Sequence, residues 1–161
     1  MKKQKGFSLI ELLIVVAIIL IIAAIAIPNL LRSRMAANEA SAVGSLRTIN
    51  TAEVTYSTTY PNVGFAATIG ALGGTAPCTS AVQTAACLID DVLSMTAVKS
   101  GYKFTAVGVA GGGSTLLVTY TATAVPTVPG QSGQRAFFTD QSGVIRYDST
   151  GAGANASSPA L

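Results

Sequence analysis

Residues 5–31 read KGFSLIELLIVVAIILIIAAIAIPNLL, a segment with one acid followed by a long apolar run. From residue 12 to residue 31 the chain has twenty residues and no charge. A helix of that length spans about 30 Å, which is the thickness of the hydrocarbon core of a bilayer. The stretch therefore predicts a helix that needs an apolar environment.

Three kinds of segment fit this apolar run. The first is a simple membrane anchor. The second is a secretory signal peptide, in which residues 2–5 supply the basic region and residues 24–26 (AIA) the cleavage site, so that the mature chain would start at Ile27. The third is the first half of a long helix that serves in a membrane and later in a protein assembly.

Glu11 distinguishes these interpretations. A carboxylate costs roughly 2.5–3.5 kcal/mol at the centre of a membrane helix and less near its edge. A signal peptide or a plain anchor gains nothing from that cost. Phe7 and Val15, one turn away on either side, provide no cation. The remaining partner is a free α-amino group, which exists only if the chain is cut just before Phe7.

The segment KGFSLIE (residues 5–11) and the apolar run with its Pro28 resemble the processing motif of type IV pilins and type II secretion pseudopilins. The resemblance covers about residues 1–60. It implies that a membrane peptidase cuts between Gly6 and Phe7 and methylates the new amine of Phe7. It also implies that Glu11 pairs with the Phe7 amine of a neighbouring subunit during assembly.

The sequence departs from the family pattern at Leu20, where many type IV pilins have glycine. In the family, that glycine and the proline bracket a stretch that can unwind in filaments. Here Pro28 removes one helical hydrogen bond and disfavours helix at Ile27, which predicts a kink without melting of the whole stretch. Alanines at positions 23, 24 and 26 still permit close approach of helices.

Composition excludes several classes of function. The formal charge of +3 and the pI of about 9.0 come from lysines at positions 2, 3 and 5, since the rest of the chain has equal numbers of basic and acidic side chains. Nucleic-acid binding is therefore not expected. Histidine is absent, which excludes histidine-ligated zinc and histidine-based acid–base chemistry. We expect no enzymatic activity and no cofactor.

Two pairs of side chains are candidates for structural chemistry in the second part of the chain. Cys78 and Cys87 fit a disulfide that closes a surface loop in an oxidising compartment, with two separate buried thiols as the alternative. Asp140 and Asp148 are calcium candidates, because the major pseudopilins as a group carry a calcium site in the head. The solvated-turn interpretation of these aspartates is favoured over calcium, and no metal is predicted.

The helical pattern continues to about Tyr60, and Pro61 ends it. Beyond Arg34 the helix becomes amphipathic. Its apolar stripe predicts the face that packs under a sheet, and Arg32, Glu39 and Arg47 are expected to point elsewhere. The members of the stripe are Val43, Leu46, Ile49, Tyr56 and Tyr60.

Residues 61–100 predict a loop-rich connection with one short helix near residues 86–95. Four β-prone runs follow at 101–110, 114–125, 135–139 and 144–148, which form two hairpins. The expected fold is α+β: a long N-terminal helix, half transmembrane and half amphipathic, on a four-stranded antiparallel sheet. The expected organisation is a leader at 1–6, a helix at 7–60 with its membrane or filament-core part at about 8–31, and a globular head at 61–161 with a mobile tail from residue 150.

The resemblance implies a structural subunit that polymerises with itself into a type IV pilus-like filament. Its partners would be the prepilin peptidase, the inner-membrane assembly machinery and, for the precursor, the membrane. The precursor would lie in the bacterial inner membrane with a cytoplasmic N-terminus and a periplasmic head. Two alternatives stay open: a major pseudopilin of a type II secretion system, and a secreted soluble binding domain with a cleaved signal peptide.

Overall fold

The computed structural model describes residues 6–161, so residues 1–5 of the expected leader lie outside the described residues. Contacts within the chain define two compact units, with the boundary between Arg34 and Met35. The first unit contains the apolar segment. The second contains the amphipathic half of the helix and everything that follows it.

Helix α1 extends over Leu9–Thr59 and includes Pro28. Leucine, isoleucine and alanine dominate its first half, and these residues need no polar partners in a helix. At its other end, the N–H of Tyr60 donates to the carbonyl of Tyr56 at 2.9 Å, and Pro61 follows directly. The predicted end of the helix near Tyr60 is therefore confirmed.

The amphipathic half of α1 packs on the sheet with the stripe predicted from its spacing. The stripe residues Val43, Leu46, Ile49 and Tyr56 are buried and belong to the core, and Tyr60 is partly buried against it. One expectation for this helix is wrong: Glu39 does not point away from the core but is only 9% exposed. Its burial is possible because an arginine side chain and two backbone N–H groups donate hydrogen bonds to its carboxylate, as described below.

Five antiparallel strands form one open sheet in the order β1-β2-β3-β4-β5. Strands β2 to β5 correspond to the four predicted runs, which confirms the α+β class. The additional strand β1 has only two residues, which form a tight hairpin with β2 through Ser100 and Gly101, both at positive φ. The strands are β1 Val98–Lys99, β2 Tyr102–Ala110, β3 Leu117–Pro126, β4 Ala136–Asp140 and β5 Arg146–Asp148.

Buried and more exposed side chains alternate along β2 and β3, and the buried ones lie on the face of the sheet that packs against α1. Their large inward side chains, Tyr102, Phe104 and Tyr120, are at most 1% exposed. Outward positions are occupied by residues such as Thr105 and Thr123, which face each other across the two strands. This period of two is typical of a sheet covered on one side only.

The connection between α1 and β1 contains two short helical elements. Helix α2 covers Ile69–Leu72, where no helix was predicted, and a single π-helical turn covers Val92–Thr96. The predicted helix near residues 86–95 is thus shorter and shifted toward the C-terminus. Asp91 begins this turn by accepting a hydrogen bond from Val92 N–H at 3.0 Å.

The last residues of the tail run beside β5, where the composition did not predict partners. Tyr147 N–H donates to the carbonyl of Pro159 at 3.0 Å, and Leu161 N–H donates to that of Ile145 at 2.9 Å. The guanidinium of Arg146 also donates to the carbonyl of Ser158 at 3.0 Å. These bonds add a short antiparallel segment to the exposed side of β5.

We expect Leu46→Ala to lower the free energy of unfolding by about 2–5 kcal/mol, because it opens a cavity at a fully buried position between α1 and the sheet. Thermal unfolding of the full chain in detergent, followed by circular dichroism, measures this loss. Val54→Ala is the matched control, since Val54 lies on the same helix and is 56% exposed. Equal effects of the two substitutions would contradict the packing described here.

Candidate processing and assembly site

The expected cleavage site lies outside the helix. Gly6, Phe7 and Ser8 have no regular secondary structure, α1 begins at Leu9, and Phe7 is 78% exposed. Proteases bind their substrates in extended conformations more readily than in helical ones, because a helix hides the scissile peptide bond within its hydrogen bonding. The Gly6–Phe7 bond is thus in the kind of backbone that a peptidase can engage.

Glu11 closes the first turn of α1. Its Oε2 accepts the backbone N–H of Ser8 at 2.9 Å, and Leu12 N–H donates to the carbonyl of Ser8 at 3.2 Å. The first of these bonds is one arm of a capping box, in which a glutamate at the third helical position satisfies the N–H of the capping residue. Among residues 6–161, no cation pairs with Glu11. Within this range the carboxylate thus has a local hydrogen bond but no counter-charge.

The first half of α1 exposes a continuous apolar surface. Its large apolar side chains between Leu9 and Leu31 are 46–80% exposed. The helix is long and apolar enough to cross a membrane, and none of its most apolar window is buried within the protein. Exposed apolar area of this extent is rare on soluble monomers and indicates contact with lipid or with other protein. The kink expected at Pro28 stays a prediction.

Glu39 fastens the amphipathic half of α1 to the start of β4. Its Oε2 accepts from Nε of Arg135 at 2.8 Å, and its Oε1 accepts the backbone N–H groups of Gln134 and Arg135 at 2.9 and 3.1 Å. Burial acts to raise the pKa of Glu39, but these hydrogen bonds and the arginine charge outweigh it and lower the pKa from 4.5. Glu39 therefore remains ionised at neutral pH.

The guanidinium of Arg135 is itself positioned by aromatic rings. It lies 5.5 Å from the centroids of both Phe137 and Tyr147, in the range of cation–π contact. The two rings come from neighbouring strands, β4 and β5, at paired positions. The ion pair with Glu39 thus connects α1 to two strands through one side chain.

Cys78 and Cys87 form a disulfide with their Cα atoms 5.8 Å apart. The loop between them is attached to the rest of the second unit by backbone and side-chain hydrogen bonds. Cys87 N–H donates to the carbonyl of Gly73 at 3.0 Å, and the hydroxyl of Tyr56 on α1 donates to the carbonyl of Gln83 at 2.7 Å. The disulfide loop therefore covers the end of α1.

The two calcium candidates are not brought together. Asp140 ends β4 at the turn, whereas Asp148 pairs with Ala136 at the opposite end of the same hairpin. The two positions are four residues apart along β4, which is about 13 Å. Each aspartate accepts hydrogen bonds from its own turn, Asp140 from Ser142 N–H and Asp148 from Thr150. Within the described part of the chain, no group of three or more acidic or cysteine side chains could hold a metal ion.

Two buried glutamates were missed as functional residues by reasoning from the sequence. Glu39 and Glu53 lie seven residues before and after Leu46, which is two helical turns in either direction. That spacing places both on the apolar stripe, and it is the signal that could have identified them. Their charge argued for the opposite face, because acidic side chains are seldom buried unless they are paired.

Comparisons with known proteins concern the N-terminal part of the chain. The family model described as "Prokaryotic N-terminal methylation motif" matches residues 1–27. The type IV wide pilus major component PilA4 of Thermus thermophilus is 64% identical over 39 residues, which is 24% of this chain and 30% of the relative. The type IV major pilin protein PilA of Myxococcus xanthus is 44% identical over 54 residues, or 34% of this chain and 24% of the relative.

These matches confirm the resemblance drawn from residues 5–11 and the apolar run. The chain carries an N-terminal methylation motif and is similar to type IV pilins over its first part. It covers less than a third of the length of either relative. No solved structure matches the chain with significance.

Glu39→Gln is expected to lower the free energy of unfolding by about 1–3 kcal/mol at pH 7, because Arg135 loses its counter-charge in a half-buried site. Since the pKa of Glu39 is lowered in the folded state, its contribution is present above pH 4.5 and is lost as the pH falls further. The difference between the two proteins should therefore shrink in acid. Chemical denaturation of the full chain at pH 7 and pH 3 measures it.

Asp140→Asn is the matched control for this experiment, because Asp140 is a carboxylate of the same unit that has no cationic partner among residues 6–161. Its substitution should change the stability by less than about 0.5 kcal/mol at pH 7. A Glu39→Gln protein as stable as the parent at neutral pH would rule out the proposed contribution of the ion pair.

Proposed function

We propose that this chain is the structural subunit of a type IV pilus-like filament. It is made as an inner-membrane precursor, cut by a prepilin peptidase between Gly6 and Phe7, methylated on the amine of Phe7 and then polymerised with copies of itself. The N-terminal methylation motif supports the processing step. The similarity to two proteins named as major pilus components supports the filament.

The observation that carries the proposal is the uncovered apolar half of α1 with Glu11 at its start. This surface needs an apolar environment at every stage, because burial contributes about 25 cal/mol for each Å² removed from water. Lipid provides that environment for the precursor, and the helices of other copies provide it in a filament. Assembly is then a transfer of the helix from lipid to protein, with the head remaining in water.

Glu11 sets the register of the helix relative to its neighbour during this transfer. Its Oε2 is occupied by Ser8 N–H, and Oε1 remains to accept the ammonium of Phe7 from a neighbouring subunit. Both charges are uncompensated when they enter an apolar helix bundle alone, and a buried charge without its partner costs several kcal/mol. A shift by one helical turn would separate the two charges. The aligned arrangement is therefore favoured over the shifted one.

The other functions make different predictions. A type II secretion pseudopilin shares the same motif, but its filament is short and stays in the periplasm. Long fibres sheared from the cell surface and containing this chain support the pilus, and their absence alongside a defect in protein export supports the pseudopilin. A secreted domain with a signal peptide requires cleavage near residue 26, in the middle of α1.

We expect the mature chain to begin with N-methylated Phe7. Mass spectrometry of the N-terminal peptide from membranes and from sheared fibres measures this, because a methylated Phe7, an unmodified Ile27 and an uncut Met1 differ in mass. Deleting the peptidase should leave the chain uncut. A mature start at Ile27 would support the signal-peptide alternative and end the filament proposal.

Glu11→Gln is expected to abolish filament formation or to reduce it at least tenfold while leaving membrane insertion intact. Glutamine accepts the Ser8 N–H as glutamate does, so the start of α1 is preserved and only the charge is lost. Electron microscopy and quantification of sheared fibres measure assembly, and membrane fractionation measures insertion.

Glu11→Asp serves as the partner variant, because it keeps the charge and shortens the side chain. It should assemble better than Glu11→Gln if charge pairing is what matters. Normal filaments from Glu11→Gln would disprove the pairing, whereas the mass of the N-terminal peptide reports on processing separately.

A further inference from the structure

Glu53 is a fully buried acid in the interior of the second unit. It lies on the sheet-facing side of α1 with an exposed fraction of 0%. Its Oε2 accepts the backbone N–H of Ala66 at 2.8 Å, and its Oε1 has no hydrogen-bond partner among residues 6–161. A carboxyl group in such a place is an exception to the rule that buried charges are paired.

No cation lies in the segment that covers Glu53. The chain has no charged residue between residues 54 and 89, a range that includes Ala66, the hydrogen-bond partner of Glu53. The titratable groups around Glu53 are phenols: Tyr56 on its own helix and Tyr120 on β3, both of which sense its charge. Tyr60 acts on Tyr56, and Asp140 at the end of β4 acts on Tyr120.

These phenols stay neutral around pH 7. Burial, followed by the charges of Glu53 and Asp140, raises the pKa of Tyr120 to about 12. Burial also raises the pKa of Tyr56. Burial raises the pKa of Glu53 itself from 4.5 to about 7, and the single hydrogen bond from Ala66 is too little to reverse the effect. Neutral pH therefore lies in the range where Glu53 changes its charge.

The hydrogen bond to Ala66 attaches α1 to a connection that is itself paired with Leu117, the first residue of β3. Residues 63–66 are paired with Leu117: its N–H donates to the carbonyl of Val63 at 2.8 Å, and its carbonyl accepts the N–H of Phe65 at 2.9 Å. Between them Gly64 has a φ of +84°, and a side chain there would collide with the backbone of Leu117. The connection is thus tightly seated on the sheet, and Glu53 is its polar attachment to the helix.

We propose that Glu53 is a proton-dependent latch between α1 and the connection at residues 61–66. As a neutral carboxylic acid it is compatible with its apolar surroundings and accepts the N–H of Ala66. As a carboxylate it is a buried charge without a counter-ion among the described residues, which raises the free energy of the folded unit. Separation of the connection from α1 lets water reach the carboxylate and removes this free-energy cost. The latch belongs to the second unit alone and does not depend on filament formation.

The pH dependence follows from the direction of the shift. A carboxyl group whose pKa is higher in the folded state than in the unfolded state binds its proton more tightly when folded. Its contribution to stability is complete below about pH 4.5 and is lost as the pH rises to about 7. The pKa of Glu39 is lowered in the folded state, so titration of Glu39 reduces the stability as the pH falls and does so only below pH 4.5. The chain has no histidine, so no side chain with an ordinary pKa titrates in the window from pH 5 to pH 8.

The test is chemical denaturation of the full chain in detergent at several values between pH 5 and pH 8. For the parent protein we expect the unfolding equilibrium constant to rise roughly 50-fold across this window. Glu53→Gln, which retains an acceptor for Ala66 N–H and cannot ionise, should show a change of less than threefold. A parent protein with flat stability across the window would overturn the proposal, and so would an unchanged slope in Glu53→Gln.

Glu39→Gln is the matched control, because it removes the other buried carboxylate of the same helix face. It should lower stability throughout the range from pH 5 to pH 8 and leave the slope across that range unchanged. If Glu53→Gln does not fold, infrared spectroscopy of the parent protein provides the second measurement. A protonated carboxyl band that disappears around pH 7 supports the latch, and complete ionisation already at pH 5 overturns it.

Discussion

Helix α1 carries an exposed apolar surface in its first half and a buried apolar stripe in its second half. The first half of α1 has no charge between residues 12 and 31, and its apolar side chains find no cover within the protein. The apolar stripe of the second half packs against a sheet whose inward side chains are mostly aromatic or alanine. The change from an apolar to an amphipathic sequence therefore falls within one helical segment, α1.

Helix α1 contains three glutamates, and the carboxylate of each has a different set of hydrogen-bond donors and a different exposure. Glu11 is exposed and accepts a backbone N–H at the helix start. Glu39 is buried but receives a guanidinium and two N–H groups, which favours its charged form. Glu53 is buried with one N–H donor and no cationic partner in the described part of the chain, which favours its neutral form. Burial alone therefore does not predict protonation; the number and charge of the donors decide it.

The sequence predicted those parts of the fold that repeat a pattern. The period of the apolar stripe located Leu46 and Ile49 in the core, and turn residues located the hairpins β2–β3 and β4–β5. The two-residue strand β1 and the four-residue α2 are too short to generate a period, so tertiary contacts determine them. The prediction for Glu39 is wrong because its charge favours an exposed position, although its spacing from Leu46 places it on the apolar stripe. Its partner Arg135 is 96 residues away in the chain. Contacts at that distance leave no local signal.

The segment at residues 158–161 has a consequence for how crowded copies of the head behave. A free sheet edge presents unpaired N–H and carbonyl groups and invites strands of other molecules to add to it. Here the edge strand β5 is already bonded to the tail, and the opposite edge strand, β1, has only two residues. The edge at β5 therefore offers fewer free backbone groups to the strands of other molecules, which lowers the tendency of this edge to pair with a second copy at high concentration.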